Sequence, residues 1–136
     1  MKIRITKIED PDEARELHEL SFPGDTFPGD HHTYWVARDE NKALAGFASA
    51  VVTHEGACFL SRAAVSVKYQ GLGLHKRLIR HRLKWARKQG CAYAITYTLA
   101  KNYPSMLNLL ACGFKFYEPE TYWASQSAHY LKRYLP

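Results

Sequence analysis

The strongest constraint on this chain is a change of hydrophobic period at Gly71. Upstream, Ala57 to Val67 reads as a strand; downstream, Leu74, Leu78, Ile79, Leu83, Trp85 and Ala86 recur at helical spacing until Gly90 stops them. Between them lies Gln70-Gly71-Leu72-Gly73-Leu74-His75. A strand that turns through two glycines straight into a helix points successive backbone amides outward at the positive end of the helix dipole. Such a turn suits phosphate oxygens. Glycine pairs also make plain tight turns, so the flanking charge has to decide. Lys68, Lys76, Arg77, Arg80, Arg82, Lys84, Arg87 and Lys88 are all basic, and no Asp or Glu occurs anywhere from Gly56 to Tyr117.

The remaining chain fits around this junction. Lys2 to Ile8 alternates as a strand, and Asp10-Pro11 opens a helix, with Asp10 as N-cap and Asp12 and Glu13 favouring its positive end. That helix fades at Ser21-Phe22-Pro23. Two Pro-Gly-Asp repeats in residues 23–32 predict a loop or a broken short helix. Thr33 to Arg38, Ala43 to Val52 and Ala57 to Val67 form three strands with connections of a few residues, hence an antiparallel meander. After the basic helix come a strand at Cys91 to Leu99 and a short helix at Asn102 to Cys112, capped by Asn102 and ended by Gly113. Phe114 to Tyr117 and Tyr122 to Tyr134 read as a closing pair of strands. The expectation is one mixed α/β (α+β) domain over residues 1–136, with about seven strands, about four helices and an antiparallel first half.

Charge is unevenly placed. The net +6 is the difference between residues 1–40, with ten acids against five Lys/Arg, and a basic remainder. Cys58, Cys91 and Cys112 have neither zinc-site nor disulfide-framework spacing, which predicts buried free thiols in a reduced cytoplasm and no metal. No segment reaches membrane-span length, and the N-terminus lacks the apolar stretch of a signal peptide.

The junction resembles the hallmark of the GNAT superfamily of acyl-CoA-dependent N-acetyltransferases, Arg/Gln-x-x-Gly-x-Gly/Ala after a bulged strand. Gln70 and Gly73 match it, Gly71 stands where Gly is common, and Val65-x-Val67-Lys68-Tyr69 is similar to the strand lead-in. Asn102-x-x-Ser105 followed by Gly113-Phe114 resembles the family's second motif, and Leu20-Ser21-Phe22-Pro23 is similar to an acceptor-side loop. The resemblance implies that acetyl-CoA is the acyl donor. The amides of Leu72, Gly73, Leu74 and His75, after Gln70 and Gly71 and with Lys76 beside them, would hold its pyrophosphate. The Val65 and Val67 backbones would pair with pantetheine, Asn102 would sit near the pantetheine or the thioester end, and Ser105 would also contact the cofactor. It further implies direct attack of a neutral amine on the thioester, with a strand amide holding the oxyanion and an acid protonating the thiolate.

Three positions depart from the family pattern. His75 stands where Gly or Ala is usual; it either clashes with phosphate, donates to it or turns away. Leu109 occupies the place of the usual general-acid Tyr, so either another group serves, with Tyr103, Tyr117 and Tyr122 as candidates, or the thiolate leaves unassisted. The strand before the loop has no carboxylate, so His31, His32, His54 and Glu55 are the nearest bases, with a water relay as the alternative; the His31-His32 pair is favoured among them because imidazole titrates near neutrality. Arg82 falls in the apolar arc of the basic helix and is expected to snorkel to its edge or find a partner. The acidic N-terminal region favours a cationic acceptor: a small amine, a Lys side chain or a protein N-terminus. The leading reading is an acetyltransferase acting on such an amine, compatible with a homodimer. The alternatives are a non-catalytic acyl-CoA-binding domain and, disfavoured by the lack of a recognised motif, a nucleic-acid binder.

Overall fold

A computed structural model describes residues 2–136. A seven-stranded sheet in the order β1-β2-β3-β4-β5-β7-β6 organises the chain. The strands are β1 Arg4–Ile8, β2 Thr33–Arg38, β3 Leu44–Val52, β4 Cys58–Val65, β5 Tyr93–Thr98, β6 Lys115–Phe116 and β7 His129–Tyr134. The helices are α1 Asp12–Ser21, α2 Leu74–Lys88 and α3 Tyr103–Ala111. Strands β1 to β4 pair antiparallel, as the short connections from β2 onward require. β4 and β5 run parallel, because α2 carries the chain back across the sheet. β7 then inserts antiparallel between β5 and β6.

Side-chain alternation in β2 divides the core. Tyr34 and Val36 join Phe47 beneath Ala14 and Leu17 of α1, whereas Trp35 and Ala37 face the cluster formed with Leu74, Leu78 and Leu83 of α2. α1 and α2 cover opposite faces of β3, which is why that strand is apolar at every position but Ser49. Leu78 is fully buried; truncating such a leucine to Ala costs about 2–5 kcal/mol. Cys58, Cys91 and Cys112 are free and buried, and no described helix is long and apolar enough to cross a membrane.

The structure corrects three sequence expectations. There are three α-helices among the described residues rather than about four, because residues 23–32 make only turns. β4 stops at Val65, and Val67 to Tyr69 form a 3-10 turn. The Ser66 amide makes the last cross-strand bond, to the Ala45 carbonyl, after which the Tyr69 amide closes back on Ser66. The strand expected from Tyr122 begins only at His129. Residues 118–128 instead loop over Tyr130, whose hydroxyl accepts from the amides of Ala124 and Ser125 and donates to the Ser125 carbonyl. Aromatic packing against Tyr130 takes the place of ladder bonds there.

Candidate active site

β4 and β5 pair only at Cys58–Ala94 and Phe59–Ile95, then part. The Thr96 hydroxyl donates to the Leu60 carbonyl at 2.8 Å and pins the vertex of the fork. Beyond it opens a cleft of about 1160 Å³, large by the standard of ligand pockets at roughly 300–1,000 Å³ and so suited to a long ligand.

One end of the cleft is the loop into α2. Gly71 and Gly73 have φ of 81° and 75°, a left-handed backbone open to glycine at no steric cost. Gly73 caps α2 with no side-chain hydrogen bond, so no capping side chain covers the first-turn amides. The Gln70 side chain donates through Nε2 to the Val65 carbonyl at 3.2 Å and ties the loop to the strand end. Across the cleft, Asn102 caps α3 by accepting from the Ser105 amide at 3.3 Å.

The middle of the cleft is a β-bulge. Ala48 opposes Ala63 but Ala50 opposes Leu60, so Ser61 and Arg62 together face Ser49. The displaced Arg62 amide donates to Ser49 Oγ at 3.0 Å. Ser49 Oγ lies 2.7 Å from Ser61 Oγ, which lies 2.9 Å from His32 Nδ1. Burial, and secondarily His31, hold His32 below the ordinary imidazole pKa, so its ring is neutral at pH 7. At the α1 side, Arg62 pairs with Asp25 at 3.2 Å and lies over the Phe22 ring. Asp25 is the only carboxylate along the cleft, and Arg62 neutralises it. The other acids of the first 40 residues lie elsewhere, so the regional charge does not carry over to the site.

His75 and Arg82 form the α2 side of the cleft. The Asn108 amide donates to His75 Nδ1 at 3.0 Å, turning the ring toward α3 instead of out to a phosphate. Burial, helped by Arg82, pushes His75 down to about 4, so it too is neutral. Arg82 is only 3% exposed. It donates through Nε to the Leu78 carbonyl at 3.2 Å and through Nη1 to the Ser49 carbonyl at 3.3 Å. This corrects the snorkelling expectation: its length carries the guanidinium to the sheet rather than the helix edge, and no carboxylate meets it there. Burial pushes its pKa down to about 10, which leaves it a cation at neutral pH.

The cleft brings together Val65, Gln70, Gly71, Gly73, Leu74, His75, Lys76, Asn102, Ser105 and Leu109. Leu72 and Val67 are off its wall, 56% and 84% exposed; the 3-10 turn removes Val67 from any strand-like pairing. Tyr103 stands out from α3, 62% exposed. Tyr117 and Tyr122 border a separate hollow with His129 and Tyr130. His32 reaches the wall only through Ser61. The tyrosines on the wall are Tyr69, whose hydroxyl donates to Asp39, and Tyr97, which packs among Phe59, Trp123 and Tyr130. The sequence reading missed Ser49, Ser61, Thr98 and Tyr97. Only Arg82 carried a signal, a cation in an apolar arc; a bulge that aligns two serines leaves no spacing to read.

Fold and cleft together define an α/β protein with a forked sheet, uncapped helix-terminal amides at one end of the fork and a hydrogen-bonded Ser49–Ser61–His32 chain at its bulge. The chain belongs to the GNAT acetyltransferase family, whose model matches residues 3–114. Among solved structures it resembles an IAA acetyltransferase from Bacillus cereus, with TM-score 0.82, 19% identity, and 98% of this chain and 100% of that one covered. An acetyltransferase from Bacillus subtilis in complex with CoA has the same score and identity over 99% and 100%. The ribosomal-protein-S18-alanine N-acetyltransferase of Escherichia coli follows at TM-score 0.78 and 20% identity, over 98% and 94%. At these identities the likeness is one of fold. No curated protein sequence matches the chain.

Proposed function

We propose that the protein transfers an acetyl group from acetyl-CoA to a primary amine. The observation that carries this reading is the continuity of the cleft: it runs from the amides behind Gly73 to the bulge at Ser61. The amides of Leu74 and His75, with the Lys76 ammonium, meet the pyrophosphate, and the β4 edge released from β5 pairs with pantetheine. Asn102 and Ser105 flank the same path from α3.

The bulge supplies the base. As the amine nitrogen attacks the thioester carbon, its proton passes to Ser61 Oγ while Ser61 gives its own to His32 Nδ1. This route requires His32 to be neutral, as burial keeps it. Rate therefore falls as pH drops through the lowered pKa of His32 and is restored above it. The acceptor side, Phe22 with the Asp25–Arg62 pair, offers an aromatic face and a neutralised charge. It suits an uncharged amine nitrogen carried on a small molecule, a lysine or a protein N-terminus.

The test is thiol release from acetyl-CoA over a panel of primary amines. Turnover with at least one amine supports the reading. CoA binding without release for any amine would leave a CoA-binding domain instead, and absence of CoA binding would reject the site.

A further inference from the structure

Arg82 takes no part in the transfer proposed for the cleft. It is a cation, 97% buried, on the wall of a cleft whose other charged groups are spoken for or distant. Asp25 and Arg62 neutralise one another, Lys76 sits in the first turn of α2, and His75 is uncharged. Two carbonyls accept from Nε and Nη1, and neither carries a formal charge. A buried guanidinium without an anion is costly, and such a cost persists where an anion arrives during function. Its position locates that anion. Arg82 donates to the carbonyl of Ser49, the residue opposite the bulge, so it stands at the end of the cleft where the proposed transfer breaks its C–S bond. On the wall of the same cleft the Thr98 hydroxyl is buried with no hydrogen-bond partner. Thr98 shares the face of β5 that, at Ala94, packs into the α2 core.

Resting on the proposed acetyl-CoA site, we infer that Arg82 stabilises the departing CoA thiolate, with Thr98 as a second donor. The tetrahedral intermediate collapses with the carbonyl re-forming and the C–S bond breaking. The electron pair goes to sulfur, and the guanidinium N–H groups meet that charge as it develops. Arg82 transfers no proton; the thiolate leaves as an anion and is protonated in solvent, while the amine proton has gone to the Ser61–His32 relay. A fixed cation in a site shielded from water is effective here because it needs no reorganisation as charge appears. Leu109, apolar and 4% exposed on the same wall, offers no proton and keeps that side dry.

The test compares CoA with S-methyl-CoA, which cannot ionise, by calorimetry from pH 6.5 to 9.5 on the full chain. In the native protein, CoA should gain on S-methyl-CoA by at least tenfold across this range. Bound CoA should also show thiolate absorbance about one pH unit or more below free CoA. Arg82→Met, similar in length and without charge, should flatten the ratio; Arg82→Lys should keep part of it. Tyr134→Phe, at an exposed residue outside the cleft, should leave it unchanged. A native protein with no pH trend, or a trend intact in Arg82→Met, overturns the inference. So does a trend abolished by Tyr134→Phe. A preference for a succinyl over an acetyl donor that disappears in Arg82→Met would place an acyl carboxylate on the guanidinium instead, and also overturns it. Failure of both CoA and S-methyl-CoA to bind would reject the cleft assignment itself, whereas equal, pH-independent binding of both rejects only the role of Arg82.

Discussion

His75→Gln should make the fold more tolerant of mild acid. Folded His75 titrates at about 4, against an ordinary imidazole near 6.5. The unfolded chain therefore takes up the proton first, and stability is lost as pH falls from about 6.5 toward 4. The whole shift is worth on the order of 3 kcal/mol, and about 2 kcal/mol of it is gone by pH 5. That is a large share of a typical domain stability of about 5–15 kcal/mol. The physical cause is local: the ring is held in the cleft with Nδ1 accepting from Asn108, and the Arg82 guanidinium opposes a second charge. Gln also offers an oxygen acceptor to Asn108 and does not titrate. Urea denaturation at pH 7.5 and pH 5.0 reads the difference. The native chain should lose about 2 kcal/mol more than His75→Gln over this interval, since His18, His32 and the carboxylates titrate in both proteins and cancel. Equal losses in the two proteins would refute the reasoning, showing that the His75 ring meets protons as freely folded as unfolded.

Gly73→Glu should abolish CoA binding by calorimetry while thermal unfolding stays cooperative. Gly73→Ala, with the same cost of a positive φ and a Cβ that meets nothing within 4 Å, should retain most affinity. Ser61→Ala and His32→Gln should each lower kcat at least tenfold, on the order of 1.4 kcal/mol or more of barrier, with CoA affinity unchanged; the double variant should be little worse than either, because both act in one relay. Asn102→Ala removes the α3 cap and should cost about 1 kcal/mol, read as a fall of a few degrees in Tm.

Much of the fold was legible because its signals are local. The wheel of α2 from Leu74 to Ala86, the Asn102 cap and the β2–β3–β4 meander each depend on residues a few positions apart. The real start of β7 was not legible. Tyr122 and Trp123 have strand-forming side chains, yet they satisfy themselves on Tyr130, far enough along the chain that local propensity misassigns them. The glycine loop into α2 could be read from Gly71 and Gly73 because a left-handed backbone leaves a mark in residue type. The serine–histidine contacts could not: Ser49 and Ser61 meet only because β4 carries an extra residue at that point, and His32 arrives from a loop 29 residues upstream of Ser61.

The amino-acid sequence by itself determined where charge and period change, and with them the helix-terminal amides that define one end of the cleft. Only the tertiary structure decided what those charges face. It sent Arg82 inward to the bulge rather than outward to water, paired Asp25 with Arg62, and turned His75 onto Asn108. Each outcome depends on which strand parts from which, and where the fork between β4 and β5 opens is a property of the whole sheet rather than of any segment.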